Sequence, residues 1–322
     1  MMILVWLLGG LFLAFSFGRN TVGNVFGTAI GTGALSQHFC AVLMGVFILM
    51  GACYGGQGIQ STLTPFLSFT SAMHVFIFSL VLAGLICFLT AKGLPVSLAQ
   101  LGMGGLIGWN WGASVSVPSP PIFPIVAAWF VSPLVAGFFS FMLFKTVRWF
   151  LKKKPIPLLY RDLFVRLNLI WIGCVIAFTL GQNNLSVLTV PFFSVFPEAH
   201  VLILSGMGLA IFGGTWTASR KVIRTWTKGL FPLSSLEAML TGLSTALVMF
   251  LFSLNLPFVA AVPISSAAAL IGGIVGISLA KGGQGLQMKV LGYVVASWVW
   301  SPCVSGLLCF VISAILNKGE GF

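Results

Sequence analysis

Charged side chains are scarce in this 322-residue chain: Asp, Glu, Lys and Arg make up 6% of it, and only four residues are acidic. An ordinary soluble domain carries about 25% charged residues, so this chain cannot cover a surface that faces water. Hydrophobic residues make up 58% of it, and the mean hydropathy is +1.10. The 30 Phe and 10 Trp fit helices that face lipid and are anchored at the interfaces by aromatic rings. The composition therefore predicts an integral membrane protein surrounded by membrane lipid.

The sequence also lacks the residue patterns of an enzyme or a metalloprotein. Its six cysteines stand singly within apolar runs, without metal or redox spacing. No Gly-Lys-Ser or Gly-Lys-Thr follows the glycine runs at 102–108 and 272–276, which argues against a phosphate loop and ATP hydrolysis. The apolar segments contain no paired carboxylates and no nucleophile–base set. We therefore expect no enzymatic activity, no metal site and no cofactor.

The basic residues, which give a net charge of +12, are concentrated in short gaps between apolar spans. Seven of the sixteen Lys and Arg lie at 145–166, and four more lie at 220–228. The positive-inside rule places such gaps in the cytoplasm, where contact with anionic lipid headgroups is a secondary role. This distribution argues against a nucleic-acid partner. The expected division of the chain is a first membrane repeat at 1–145, a basic cytoplasmic loop at 146–161 and a second, inverted membrane repeat at 162–322.

Motifs rich in Gly, Pro and Asn occur twice. Pro95 and Ser97 match Pro263 and Ser265 at an offset of 168 residues. A duplicated membrane chain interrupted by Gly and Pro is typical of a secondary transporter, whose site lies where the two halves meet. Three pairs of segments recur in the same order: 93–108 with 263–276, 18–21 with 181–184, and 55–56 with 213–214.

Corresponding loops of the two halves differ in charge. The loop at 55–70 has no Lys or Arg, whereas its counterpart at 214–232 has four. Two halves inserted in opposite directions would produce this pattern, with both termini outside. The expected fold is an all-α integral membrane protein with two inverted repeats of about five membrane segments each. Each repeat includes a Pro/Ser/Gly-rich helical hairpin, at 93–111 and 257–280, that is broken or re-entrant. Four prolines at 118–124 predict an outside loop.

The duplicated motifs have a specific residue order. Residues 18–31 read Gly-Arg-Asn-Thr-Val-Gly-Asn-Val-Phe-Gly-Thr-Ala-Ile-Gly, and 181–184 read Gly-Gln-Asn-Asn with Pro191 downstream. The hairpins begin Pro-Val-Ser at 95–97 and Pro-Ile-Ser at 263–265. This order resembles the inorganic phosphate transporters of the PiT family, which carry a duplicated Gly-Ala-Asn-Asp-Val-Ala-Asn signature and a Pro-Val-Ser-Thr-Thr-His hairpin. The resemblance covers essentially the whole chain and implies a transporter.

The chain departs from that family at its titratable positions. The family's two motif aspartates are Thr21 and Asn184 here, and its two hairpin histidines are Gln100 and Ala268. In the family, the carboxylates are linked to cation coupling and phosphate handling. The chain therefore resembles a degenerate branch, the PiT-like proteins that lack these aspartates and are associated with sulfate uptake. Phosphate retains a proton near neutral pH that a carboxylate can accept, whereas sulfate has none. A site that contains only hydrogen-bond donors therefore favours sulfate, by a small margin.

The expected anion site consists of neutral polar residues from the duplicated motifs, with helix N-termini pointing N–H groups at the anion. Arg19 joins them as a clamp, because Arg presents paired donors to oxyanions, or else it snorkels to the surface from the end of the first helix. Asn24 and Thr28 are also candidates for polar packing between helices. The expected substrate-binding residues are Asn20, Thr21, Asn24, Thr28, Ser97, Gln100, Asn183, Asn184, Ser265, Ser266 and Arg19.

The expected function is that of a permease, a secondary transporter of an inorganic tetrahedral oxyanion of the phosphate/sulfate class. It would work by alternating access at a site between the two repeats. The alternatives are a cation-coupled inorganic phosphate transporter, an uncoupled anion channel and a membrane subunit that does not transport. The coupling ion, if there is one, is Na⁺ or H⁺, and the resemblance implies a homodimer. The expected location is a bacterial inner (plasma) membrane.

Overall fold

The computed structural model describes residues 2–115, 122–154, 157–254 and 261–319, and within these ranges the chain is helical, without strands. The first half contains α1 (Met2–Gly31), α2 (Gln37–Gly55), α3 (Gln57–Leu63), α4 (Ala72–Ala91), α5 (Leu98–Gly112) and α6 (Ile122–Lys153). The second half contains α7 (Leu158–Leu180), α8 (Ser186–Val195), α9 (His200–Trp216), α10 (Arg220–Arg224), α11 (Ser235–Ser253), α12 (Ser266–Ala280) and α13 (Met288–Gly319). A π-helical turn, Gly181–Leu185, joins α7 to α8.

Eight helical segments in the described part of the chain are long and apolar enough to cross a membrane. The two hairpin helices α5 and α12 have 15 residues each. At 1.5 Å per residue each is about 22 Å long, which is shorter than a hydrocarbon core of about 30 Å. Neither helix is long enough to span alone. Each half therefore has four helices long enough to span and one short hairpin helix, about five membrane segments, in agreement with the predicted fold class.

The two halves pack in matched pairs. Helix α1 packs on α9, and its counterpart α7 packs on α2. In the same way α1 packs on α4 and α7 on α11. Each hairpin helix packs on the last helix of the other half, α5 on α13 and α12 on α6. The halves are therefore interlocked. The opposite orientation of the two repeats stays a prediction.

Glycines allow the hairpin helices to approach their partners closely. A Cβ on Gly104 would overlap the carbonyl oxygen of Pro302, and a Cβ on Gly272 would overlap that of Pro133. Gly at these positions lets the two backbones touch, as small residues do between membrane helices. The glycine-rich stretch of each hairpin thus serves helix packing.

The same kind of contact corrects one predicted pairing. A Cβ on Gly51 would overlap the carbonyl oxygen of Phe178, and a Cβ on Gly214 would overlap that of Phe15. Gly51 and Gly214 are 163 residues apart, and so are the phenylalanines that they meet. Gly18 and Gly181 in the Asn motifs have the same offset. Gly214 is therefore the counterpart of Gly51, and the pairing of 55–56 with 213–214 was wrong.

The basic segment predicted as a loop at 146–161 is mostly helical. Helix α6 continues to Lys153 and α7 begins at Leu158, so the boundary expected at 145 falls inside α6. The helices extend past the apolar spans into the basic segment, so that several of its Lys and Arg residues lie on helix ends. The predicted loop at 118–124 lies largely outside the described residues, and α6 begins within it at Ile122.

Candidate functional site

Asn20, in the first motif, holds the segment that leads into the first hairpin helix. Its Nδ2 donates to Thr90 Oγ1 at 2.8 Å and to the Leu94 carbonyl at 3.1 Å. Its Oδ1 accepts from the Val96 N–H at 2.9 Å. These three bonds occupy the amide, so Asn20 fixes the hairpin and leaves little hydrogen-bonding capacity for a ligand.

Asn183, the counterpart of Asn20, has no such partners. It lies within the π-helical turn and is fully buried, and neither amide atom has a hydrogen-bond partner among the described residues. The neighbouring Asn184 Oδ1 and Gln182 Oε1 are also buried without partners. Gln182 was missed by the sequence analysis because it was read only as part of the motif. Short π-helical segments such as Gly181–Leu185 occur frequently at functional sites.

A serine of the Pro-x-Ser motif caps the N-terminus of each hairpin helix. Ser97 Oγ accepts from the Gln100 N–H at 3.4 Å, and Ser265 Oγ accepts from the Ala268 N–H at 3.1 Å. These are N-caps, in which the oxygen satisfies one of the free N–H groups of the helix. The hydroxyl hydrogen of each serine is not used by this bond and can be donated to a ligand. The positive end of each helix dipole lies beside it.

The first motif meets the second hairpin directly. Asn24 Nδ2 lies 3.5 Å from Ser266 Oγ, which joins α1 to α12 across 242 residues of sequence. Thr21 Oγ1 and Asn24 Oδ1 are buried and find no hydrogen-bond partner in the described part of the chain. Thr28, one turn beyond Asn24, is also buried. The equivalent crossing in the other half is apolar, because the side chain of Val187 lies against Gly102.

The ten neutral residues predicted for the site are all buried. Gln100 differs from the rest because it also lines an apolar cavity of about 650 Å³ between α6, α12 and α13, with its Oε1 unpartnered. A buried polar atom without a partner costs about 1–3 kcal/mol, so each such atom indicates a place that water or a ligand would fill. The ten residues are called the buried cluster below, and the contact between Asn24 and Ser266 joins the two halves within them. Amide N and O positions are assigned from hydrogen bonding, so either end of Asn24 or Asn184 can face a ligand. The cluster offers hydroxyl and amide groups without charge.

Buried negative charge lies elsewhere. Glu237 is 7% exposed, and its carboxylate receives the Ser234 N–H at 2.8 Å and the Lys281 Nζ at 2.9 Å. Its position at the start of α11 makes it part of a capping box. Among the described residues, no three His, Cys, Asp or Glu are grouped so that they could hold a metal ion.

Arg19 does not join the buried cluster. It is exposed and lines a separate cavity with Arg220 and Lys221, at the start of α10. The predicted clamp inside the site therefore does not form in this structure, because successive residues of α1 face different sides of the helix. The motif places Arg19 beside Asn20 in sequence but on a different face of the helix.

Comparison with known proteins gives a consistent assignment. A family model described as "Phosphate transporter family" matches residues 17–260 and 258–320. A protein of Methanocaldococcus jannaschii named "Putative phosphate permease" is 26% identical over 306 residues, which cover 95% of each chain. The sulfate permease of Bacillus subtilis is 25% identical over 328 residues, covering 98% of this chain and 88% of that one.

A solved structure described as "The sodium-dependent phosphate transporter" has the same fold. It has a TM-score of 0.81 at 20% sequence identity and covers 99% of this chain and 100% of that one. The family match extends over both halves, including both Asn motifs and the second hairpin. The chain is a multi-pass integral membrane protein and belongs to the phosphate transporter family.

Proposed function

We propose that this chain is a secondary transporter of an inorganic tetrahedral oxyanion, with sulfate slightly favoured over phosphate. It works by alternating access at the buried cluster between the two halves. The observation that carries this proposal is a set of buried, neutral side-chain atoms that have no hydrogen-bond partner among the described residues: Thr21 Oγ1, Asn24 Oδ1, both amide atoms of Asn183, and Asn184 Oδ1. A ligand that accepts hydrogen bonds would be a partner for Thr21 Oγ1 and Asn183 Nδ2, which can donate. It would also be a partner for the amides of Asn24 and Asn184 if they are turned so that Nδ2 faces it.

The preference for sulfate rests on proton chemistry. Hydroxyl and amide N–H groups donate to a fully ionised oxyanion without needing to accept a proton from it. The positions of the family's aspartates are Thr21 and Asn184, so no carboxylate repels a doubly charged anion there. Similarity to a sulfate permease supports this assignment.

Cation-coupled phosphate transport is the second candidate. It is favoured by the relatives named as phosphate permeases and by the fold shared with a sodium-dependent phosphate transporter. The amide oxygens of Asn24 and Asn184 could accept the proton of hydrogen phosphate, because an amide offers an acceptor as well as donors. Na⁺ or H⁺ would be the coupling ion.

Uptake of labelled sulfate and phosphate into proteoliposomes, with and without Na⁺ and H⁺ gradients, separates these candidates. Saturable sulfate uptake without Na⁺ is the expected result. Phosphate uptake driven by Na⁺ would overturn the sulfate preference. Uptake that rises linearly with concentration would indicate an uncoupled anion channel, and no uptake of either anion would indicate a membrane subunit that does not transport.

Substitution of the two hairpin serines links uptake to the site. In Ser97→Gly with Ser265→Gly, both hydroxyl donors are lost, whereas the N-caps weaken by only a few tenths of a kcal/mol. Uptake should fall at least tenfold, because each lost hydrogen bond to a charged ligand is worth about 1.5–3 kcal/mol. Ser71→Gly is the matched control, since Ser71 caps α4 by the same bond, to the His74 N–H. Equal loss in the control would mean that the effect is structural.

The membrane orientation is part of this proposal. Basic residues at 145–166 and 220–228 would face the cytoplasm of a bacterial inner membrane, and the two repeats would be inverted. The repeats correspond to 1–145 and 162–322, joined by the basic residues 146–161, and the assembly is a homodimer. Cleavage at a protease site inserted after Lys154, tested from each side of sealed vesicles, would measure the orientation.

A further inference from the structure

A second cavity, lined in part by charged residues, lies outside the buried cluster. It has a volume of about 560 Å³ and is lined by residues of α1, the end of α4 and the start of α10. Three of its lining residues are cationic: Arg19, Arg220 and Lys221. None of the described residues that line it is acidic. The cavity therefore carries a net positive charge that the protein does not neutralise locally.

The side chains of two of these three cations have no partner within the part of the chain that the structure describes. Lys221 Nζ donates to the Ala91 carbonyl at 3.0 Å. Neither guanidinium, of Arg19 or of Arg220, makes a hydrogen bond or ion pair with any residue in the described ranges. Guanidinium groups present paired donors that match tetrahedral oxyanions. Both are thus available to a ligand.

Arg19 lies near the middle of the span Leu4–Gly31 but at the level where α4 ends, because Thr90 and Ala91 line the same cavity. Arg220 and Lys221 line it from the start of α10, in the basic gap that we propose to face the cytoplasm. The exposed side chain of Arg19 therefore lies in a cavity at the proposed cytoplasmic end of these helices.

The cavity is one hydrogen bond away from the first motif. Thr90 lines it, and Thr90 Oγ1 receives the Asn20 Nδ2 at 2.8 Å. Asn20 in turn holds Val96, next to the N-cap Ser97. A ligand in the cavity is therefore separated from the first hairpin by the Thr90–Asn20 pair.

The other repeat lacks this charge. At the offset of 163 residues, Arg19 corresponds to Gln182 and Arg220 corresponds to Gln57. The positive cavity is thus a feature of one half only, and the second half shows which neutral side chains the fold accepts at these positions.

We propose that this cavity is an oxyanion-binding vestibule, in which Arg19 and Arg220 capture the tetrahedral anion as it passes between the buried cluster and the cytoplasm. This inference rests on the proposed function, because the anion captured is the one transported. A phospholipid phosphate has the same chemistry and could bind the same groups, so the test separates a free anion from a lipid headgroup.

Cys87 is a natural reporter, because it is exposed and lines the cavity. Purified protein in neutral phosphatidylcholine vesicles is treated with two methanethiosulfonate reagents, one carrying a sulfonate and one a trimethylammonium group. Peptide mass spectrometry measures the modification rates at Cys87 and at Cys53, an exposed cysteine on α2 used as internal control. A change in thiol reactivity alone affects both reagents equally and cancels in the ratio of their rates.

The sulfonate-to-ammonium rate ratio at Cys87 should exceed that at Cys53 by about tenfold or more, since a cleft of one charge concentrates counter-ions by that factor. Arg19→Gln and Arg220→Gln, which install the residues of the other repeat, should each lower the ratio at least threefold. Equal ratios at the two cysteines, or no reaction at Cys87, would overturn the proposal. This readout does not depend on uptake, so its failure is distinguishable from failure of the proposed function.

Protection then identifies the ligand. Sulfate or phosphate, but not chloride at equal ionic strength, should slow modification of Cys87 in neutral vesicles. Protection should weaken in Arg19→Gln. Protection that appears only when anionic phosphatidylglycerol is added, with no effect of either free anion, would assign the cavity to a lipid headgroup and overturn the capture role.

Discussion

The side-chain amide of Asn20 donates a hydrogen bond of 2.8 Å to Thr90 Oγ1. With its bonds to Leu94 and Val96, this side chain ties α1 to the segment before the first hairpin. Asn20→Ala should lower the free energy of unfolding by about 2–3 kcal/mol, because three buried groups lose their partner. The thermal midpoint in detergent would measure the loss, and an unchanged midpoint would contradict the role in fixing the hairpin.

Asn183→Ala should behave differently. Since neither amide atom of Asn183 has a partner among the residues that the structure describes, its removal takes away an uncompensated polar group and should leave the thermal midpoint nearly unchanged. Anion uptake should nevertheless fall tenfold or more if the amide binds substrate. The comparison with Asn20→Ala separates the two roles: equal destabilisation by both substitutions would show that Asn183 is structural.

Gly104 and Gly272 should resist enlargement. A methyl group at Gly104 meets the carbonyl oxygen of Pro302, so the helices must separate, at a cost of about 1–3 kcal/mol. Gly104→Ala and Gly272→Ala should therefore lower the thermal midpoint. Gly84→Ala and Gly292→Ala are matched controls in open helical positions, where Ala should stabilise the helix by about 0.5–1 kcal/mol. Changes of the same sign in both sets would exclude close packing as the cause.

Glu237 is expected to act on stability rather than on transport. Glu237→Ala removes the capping box and the pairing with Lys281, and should cost about 1–2 kcal/mol. Glu237→Gln keeps a side chain that suits the capping box and should cost less. Lys281→Met tests the ion pair alone and should have a small effect, because its side chain is 37% exposed. A larger loss from Lys281→Met than from Glu237→Ala would contradict this assignment.

The sequence predicted the fold well, because composition and duplication are strong signals in a membrane protein. Apolar runs located the spans, and the Pro-x-Ser motifs located both short hairpin helices, which begin one residue after Ser97 and Ser265. Helix contacts were harder to predict. The pairing of 55–56 with 213–214 was based on residue identity alone. The close contacts show instead that Gly214 is the counterpart of Gly51, because Gly51 meets Phe178 and Gly214 meets Phe15.

The side-chain roles within the motifs could not be predicted from the repeat. Symmetry implied that Asn20 and Asn183 act alike. Asn20, however, makes three hydrogen bonds, whereas Asn183 makes none through its side chain within the described ranges. Arg19 is next to Asn20 in the same motif, but its side chain lies on a different face of α1. In each case the outcome depends on which neighbouring helix faces the residue, which a single sequence does not specify.

Returning a carboxylate to the cluster tests the donor-only site. Asn184→Asp preserves the shape of a buried side chain while adding a negative charge. At about 5 Å and an effective dielectric constant of about 20, each pair of unit charges repels by about 3 kcal/mol. Sulfate uptake should therefore fall well over tenfold.

Phosphate should tolerate Asn184→Asp better, because its remaining proton can be donated to the carboxylate. Asn184→Leu is the isosteric neutral control, and it should reduce uptake of both anions to a similar extent through the lost amide. The ratio of phosphate to sulfate uptake is the decisive quantity. It should rise in Asn184→Asp and stay constant in Asn184→Leu, whereas an unchanged ratio in both variants would mean that Asn184 does not contact the transported anion.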